Sequence, residues 1–532
     1  MDAQNRGNFW RILAVAAVVM VPYLPTFFTG FDFNDDGCLV YLASDAPTVG
    51  DWLKLVGRKT YDDFHYRGPF RPTFWAHTCA SAQLFGANPF LHHAALFGWS
   101  FVAVVLWLWL LKELGIGGWG AAVAAAIAFW APFRSEIWMR LGTFAPPYGF
   151  LALIAAVRAA RCTVPPEPAH GPDAPHRLSS FWRSLAWDVV GWSSLLAVIG
   201  CKNVFAAILP AMLYLRITPH PSPLGAALRR HWPRVLFLGS VSLFPIIHLL
   251  AFKLDPHPKE YRIVGITWQG VSLWPKALLG AFGFNFIFPA LVLLGAAWRQ
   301  AQRRGEGVES GEAQTGSAAD RPTANVCVAG VLLVLAGVAV YLPTPPAVSG
   351  SYTIPAAWGI DLLLARFLQR AFALRDGIWK RAGLALLAAG LAGILIANIG
   401  KDTKFQARAA LFWQVVDVVE NELPEHSKIA WIGQWFPHAD DEIGLGEGTH
   451  FRWHLENRGR KSATIVLVDE AKMQDLQSAE FAVTGQATPP PGHWRLLHSF
   501  QASYWLGMRS YSCHLWQRTS EPLDGWRSAD GW

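Results

Sequence analysis

The chain alternates long uncharged apolar runs with short polar turns until about Lys401, where shorter strand-like and helix-like patterns take over. The runs Ile12 to Phe28, Ala94 to Leu111, Ala121 to Phe133, Val235 to Phe252, Val326 to Leu342 and Leu384 to Ile399 mostly approach the ~20 residues that a helix needs to cross hydrocarbon. Leu185 to Gly200 and Val204 to Leu215 read as two shorter spans divided by the turn Cys201-Lys202-Asn203. Beyond the last run, Phe405 to Glu420 predicts an amphipathic helix, Lys428 to Ile432 a strand, His450 to Asn457 a helix and Ala463 to Val468 a second strand. The pattern therefore predicts a mainly α, polytopic transmembrane bundle over residues 1–400 and a small C-terminal α/β domain over 401–532. The first run lacks a small-x-small cleavage site and leads directly into acidic residues, so it reads as a retained span.

Composition narrows the class. At 532 residues, 52% hydrophobic and only 16% charged, with 27 tryptophans, the chain is too apolar for an ordinary soluble protein. The net charge of +7 does not mark a nucleic-acid partner, because the basic residues sit in inter-helix turns: Arg6 and Arg11; Lys112; Arg158, Arg161, Arg177 and Arg183; Arg216, Arg229, Arg230 and Arg234; Arg299, Arg303 and Arg304; Arg370, Arg375, Lys380 and Arg381. Placing each cluster in the cytoplasm gives about eleven spans, with the amino terminus inside and residues 401–532 outside. Outer loops then fall at 29–89, 253–276 and 343–353, and 300–324 is a flexible cytoplasmic linker. The six cysteines show no CxxC spacing, which argues against a structural zinc site. Cys38 and Cys79 share the outer side, as a disulfide or as free thiols.

The chemistry gathers at the outer turns. Phe31-Asp32-Phe33-Asn34-Asp35-Asp36-Gly37 sets carboxylates side by side at the exit of the first span, where mutual repulsion beside a low-dielectric slab raises a carboxyl pKa toward that of a proton-accepting base. The same residues also suit capping of the helix that begins near Cys38. Arg67, Arg71 and Lys202 supply cations at outer turns. The arginines equally suit snorkelling to lipid headgroups, whereas a lone cation between two short apolar spans is costly unless paired or functional. Asp62, Asp63 and His65 form a candidate divalent-cation cluster or a set of solvated loop residues. His92-His93 reads as interfacial, and Glu136 with Arg140 as a one-turn ion pair.

The order of these segments resembles the GT-C glycosyltransferases, polytopic enzymes that use polyprenyl-phosphate-linked sugars. Asp35-Asp36 stands where the protein O-mannosyltransferases and aminoarabinose transferases have an Asp-Glu pair, with Tyr41-Leu42-Ala43 following at similar spacing. Arg67-Gly68-Pro69-Phe70-Arg71-Pro72-Thr73-Phe74-Trp75, leading to Phe85-Gly86-Ala87-Asn88-Pro89, resembles the family's basic-proline stretch and Phe-Gly-x-Asn-Pro turn. Pro132 to Trp138 is similar to the turn between spans three and four, Cys201-Lys202-Asn203 resembles a Ser-Lys-Glu turn, and Ser351-Tyr352-Thr353-Ile354-Pro355 resembles an Arg-Tyr-x-x-Pro element. Asn203 and Ser351 depart from the family pattern by removing charge.

The resemblance implies a membrane enzyme moving a sugar from a polyprenyl-phosphate donor to a glycan, lipid or protein acceptor at the outer face, with inversion. It implies Asp35 as base with Asp36 second, and Arg67, Arg71, Lys202 and Tyr352 as substrate-binding residues. No cofactor is required by this reading, although a divalent cation is compatible with it. Two alternatives stay open: a lipid-glycan transporter or flippase, for which His248 and Asp361 are the intramembrane ionisable residues, and a non-catalytic subunit that has kept the fold.

Overall fold

The computed structural model describes residues 3–31, 37–45, 48–67, 70–131, 138, 141, 144–162, 174–218, 287–305, 321–341, 353–374, 377–432, 448–458, 464–468, 475–485, 487–505 and 507–520, with a few single positions between 232 and 275. The chain is a mainly helical membrane protein with a small C-terminal sheet. Four helices, Gly7–Phe28, Pro89–Glu113, Ser179–Cys201 and Ile378–Asn421, are long and apolar enough to cross a membrane among the described residues, and shorter apolar helices accompany them. The chain divides into two compact units, one of Met1–Leu24, Val56–His77 and Ala95–Asn398, the other of Pro25–Leu55, Thr78–Ala94 and Ile399–Trp532.

In chain order the helices are α1 Ala3–Met20, α2 Gly37–Asp45, α3 Val49–Asp62, α4 Pro72–Phe85, α5 Pro89–Glu113, α6 Gly118–Trp130, α7 Ala145–Cys162, α8 Ala174–Cys201, α9 Leu209–Ile217, α10 Ile287–Gly305, α11 Arg321–Tyr341, α12 Ile354–Phe372, α13 Ile378–Asn421 and α14 Gly448–Asn457. The strands are β1 Lys428–Ile432, β2 Thr464–Val468, β3 Phe481–Thr484, β4 Trp494–Tyr504 and β5 Arg509–Arg518. The first apolar run does not stay α-helical to its end: Val21–Phe28, with Pro25 inside it, is a 3-10 segment. Proline removes a backbone donor and clashes with the preceding turn, so the tighter helix takes over.

In the first unit, Tyr23 donates its hydroxyl to the Phe129 carbonyl, and Trp130 Nε1 donates to the Val19 carbonyl at 2.7 Å, tying α1 to α6. α11 and α12 cross closely because glycines face each other: a Cβ on Gly359 would lie 2.4 Å from the Gly330 oxygen. Such small-residue crossings let helix backbones approach where no hydrophobic gain separates protein from lipid. Among the buried carboxylates paired in this unit are Asp188 and Glu113. Asp188 on α8 receives Arg216 of α9 through Nε at 2.7 Å and a terminal nitrogen at 3.0 Å. Glu113 ends α5 between Arg158 and Arg161 of α7 and also accepts from Trp109 Nε1 at 2.8 Å. Part of the basic population that the charge pattern placed in cytoplasmic turns is therefore engaged with buried carboxylates.

The second unit is built on a five-stranded sheet of order β2-β1-β3-β5-β4. β1 pairs in parallel with β2 and β3, and β5 pairs antiparallel with β3 and β4. Leu411, Phe412, Val415 and Val416 of α13 form one core with Ile429, Trp431, Val483, Cys513 and Leu515, and Phe451 of α14 belongs to it. A smaller cluster of Ala430, Leu476, Ala482, Trp494 and Trp516 forms a second core. The strands at 428–432 and 464–468 and the helix near 450 match the expectation, while β3, β4 and β5 are additional. The expected break between a last span and a separate amphipathic helix is missing, since α13 runs without interruption through Lys401. None of the six cysteines is in a disulfide.

A candidate substrate site at the lysine turn

The first unit brings two of the sequence-predicted segments into contact. α3 ends in a π-helical turn, Asp63–Arg67, and α4 begins with Pro72, whose missing N–H costs nothing at a helix start. Asp63 is buried and Arg71 grips it, with Nε and a terminal nitrogen each 2.8 Å from one carboxylate oxygen. Trp75 Nε1 donates to the same oxygen at 2.6 Å, and the Lys59 ammonium lies 5.8 Å from the Trp75 ring centre. Arg71 is thus committed to a protein partner through two of its three side-chain nitrogens.

Lys202 occupies the extended residue between α8 and the 3-10 helix Asn203–Ile208, with φ −158° and ψ 122°, and is half-buried. Its turn is fastened to the start of α4. With the Asn203 amide turned so that its nitrogen faces them, it donates to the carbonyls of Phe70 at 3.3 Å and Ile199 at 3.2 Å. A Cβ on Gly200 would lie 2.6 Å from Thr73 Oγ1 and 3.4 Å from Pro72 Cδ, so only glycine permits this approach. An amide suits position 203 for a local reason: a carboxylate would have no hydrogen to give those two carbonyls.

Along α4, Thr73 and His77 stand four residues apart and share a face. His77 Nε2 lies 2.7 Å from the Tyr148 hydroxyl in the first turn of α7. Phe144 stacks on the His77 ring with centres 4.6 Å apart, and Trp99 lies 5.2 Å from it. Trp99 is itself held by donation from Nε1 to the Phe144 carbonyl at 2.9 Å. Burial pushes the His77 imidazole below its ordinary pKa, which favours the neutral ring. The result is a partly exposed polar pair in an aromatic wall, next to a turn that carries a cation. Such a combination suits an anionic group bonded to a ring with apolar faces.

The other predicted site residues fall differently. Asp35, Asp36 and Tyr352 lie outside the described residues, as do Glu136, Arg140 and His248, and of Arg67 only the backbone is described. The candidate cation cluster at Asp62, Asp63 and His65 is not assembled as such: Asp63 serves Arg71 and Trp75, and His65 stacks on Tyr61 with centres 4.9 Å apart. No group of three or more His, Cys, Asp or Glu among the described residues is arranged to hold a metal ion. In the second unit, His92 is buried and its Nε2 lies 2.9 Å from the Gly86 carbonyl. His77, Tyr148 and Trp99 did not stand out from the sequence, because their partners are distant along it.

No family model matches the sequence, and no curated protein does. The structure is similar to the crystal structure of ArnT from Cupriavidus metallidurans in the apo state, at a TM-score of 0.47 and 12% identity, over 96% of this chain and 98% of that one.

Proposed function

We propose that this chain is an integral-membrane glycosyltransferase that moves a sugar from a polyprenyl-phosphate donor to a glycan, lipid or protein acceptor at the outer membrane face. The observation that carries the reading is the fastening of the Lys202 turn to the Phe70–Thr73 segment beside the His77–Tyr148 pair. Two motifs that the GT-C resemblance assigns to the substrate, far apart in sequence, meet at one place.

In this reading Lys202, with Arg67 and the Asp63-anchored Arg71, neutralises the donor phosphate, where charge-assisted bonds are strongest. The aromatic wall takes the apolar face of the sugar and Tyr352 adds a polar contact. The acceptor oxygen attacks the anomeric carbon as the bond to phosphate breaks, and the electron pair leaves with polyprenyl phosphate. Asp35 accepts the acceptor proton, with Asp36 beside it, and attack opposite the leaving group inverts the anomeric centre. Residues 401–532 serve acceptor docking. The test is release of polyprenyl phosphate from a panel of polyprenyl-phosphate sugars by the purified protein and its Asp35→Asn and Asp36→Asn variants. Release that needs one aspartate supports the reading and names the base; no release with any donor from well-folded protein rejects it.

One observation favours the transport alternative: Asp361 is fully buried within α12. Ion-coupled flux lost on Asp361→Asn, with no sugar transfer, would select that alternative.

A further inference from the structure

The β4–β5 hairpin carries a feature that the transfer chemistry does not use. β4 runs alongside α13: His498 Nε2 lies 2.8 Å from Glu422 near the helix end, while the far end of the strand reaches the helix near Gly400. There Trp505 adopts φ 52°, a left-handed conformation that is an outlier for a bulky residue. Its indole lies so close to Gly400 that a Cβ there would be 2.2 Å from the ring. The Trp505 backbone N–H donates to Thr403 Oγ1 at 3.2 Å. Gly507, at φ 84°, completes the turn with its N–H on the Tyr504 carbonyl at 3.2 Å. The side chain of Met508 is left 74% exposed.

The seat is at a particular height on α13. The uncharged run Leu384 to Ile399 covers about 24 Å at ~1.5 Å per residue, close to the ~30 Å hydrocarbon thickness of a bilayer. Gly400 is the next residue, and Lys401 and Lys404 follow it. Lys404 lies 5.7 Å from the ring of Tyr511, which stacks on Tyr504 with centres 4.7 Å apart. Arg509 starts β5 and is exposed. An indole, a free methionine and a surrounding set of cations at the end of an apolar span match the amphipathic chemistry of the lipid headgroup layer.

We propose that the tip of the β4–β5 hairpin is a membrane-contacting surface, with Trp505 and Met508 in the headgroup layer of the bilayer that α13 crosses. The backbone strain at Trp505 is then offset by its packing on Gly400 and by lipid contact.

The test uses the full chain in lipid nanodiscs, with Cys38, Cys162 and Cys327 changed to serine and a fluorophore placed at Met508→Cys or, as reference, at Arg495→Cys near the other end of β4. Nitroxide carried on lipid headgroups should quench the label at 508 severalfold more than the label at 495, and aqueous iodide should show the reverse order. Equal quenching at the two sites, or preferential iodide quenching at 508, overturns the proposal. A label at 508 shielded from both quenchers also overturns it and points to a protein partner on the tip.

Discussion

Arg71 holds Asp63 through Nε and a terminal nitrogen, each 2.8 Å from the same carboxylate oxygen, and Trp75 adds a third donor there. Three donors on one buried oxygen make that charge the fastener between the end of α3 and the start of α4. Asp63→Asn keeps the shape and removes the charge, leaving a partly buried guanidinium without its anion. Because Arg71 retains some solvent, the expected loss is about 2 kcal/mol, between the surface and fully buried cases. A thermal-unfolding midpoint in detergent reads it. The double variant Asp63→Asn with Arg71→Gln should recover part of the loss; an Asp63→Asn protein as stable as the parent contradicts the fastener role.

Much of the fold could be read from apolar run lengths, because a helix that spans hydrocarbon needs an uninterrupted apolar segment, as in α5. The Cys201-Lys202-Asn203 turn was legible for the converse reason, a charge between two apolar stretches. The same logic ended one helix at Ile399 and began another at Phe405, where charge marks the exit from an apolar environment and not the end of a helix. Lys401 to Arg408 contains no proline or glycine, so nothing local stops α13. At the site, Arg71 and Lys202 were legible as cations at turns. Asp63 as the partner of Arg71 was not, since the contact depends on a π-helical turn, and His77 was not, since Tyr148 is 71 positions away.

The close approach of the lysine turn to α4 predicts coupling between two small residues. Gly200→Ala puts a methyl 2.6 Å from Thr73 Oγ1, an overlap that costs about 1–3 kcal/mol. In Gly200→Ala with Thr73→Ala the nearest retained Thr73 atom is Cβ, at 3.3 Å, so most of the cost should vanish. A double-mutant cycle on thermal stability should give a coupling of at least about 1 kcal/mol. Additive effects would mean that the turn is not fastened at Thr73.

Tyr148→Phe removes the hydroxyl that meets His77 at 2.7 Å while leaving the aromatic wall. The expected stability cost is about 1 kcal/mol, that of one hydrogen bond. If the wall holds the donor sugar as proposed, the variant should raise KM for the polyprenyl-phosphate sugar with a smaller effect on kcat, because the acceptor base is elsewhere. Unchanged KM alongside normal folding would confine His77 and Tyr148 to a structural role.

His514 predicts how the C-terminal sheet responds to acid. It lies on β5 opposite Thr484 of β3, is buried, and neither ring nitrogen has a hydrogen-bond partner. Burial pushes its imidazole below the ordinary histidine pKa. The unfolded chain therefore binds the proton first, at about pH 6.5, while the folded sheet resists it. In the interval between the folded and unfolded values the unfolded state carries more protons, so stability falls as pH falls, and the loss levels off once the folded histidine also charges. His514→Leu removes the titrating group and keeps an apolar side chain of related size. Between about pH 7.5 and about pH 5.5, a range that brackets histidine titration, the parent's thermal midpoint should fall further than the variant's. Parallel decreases would show that the acid sensitivity of the sheet arises from another group.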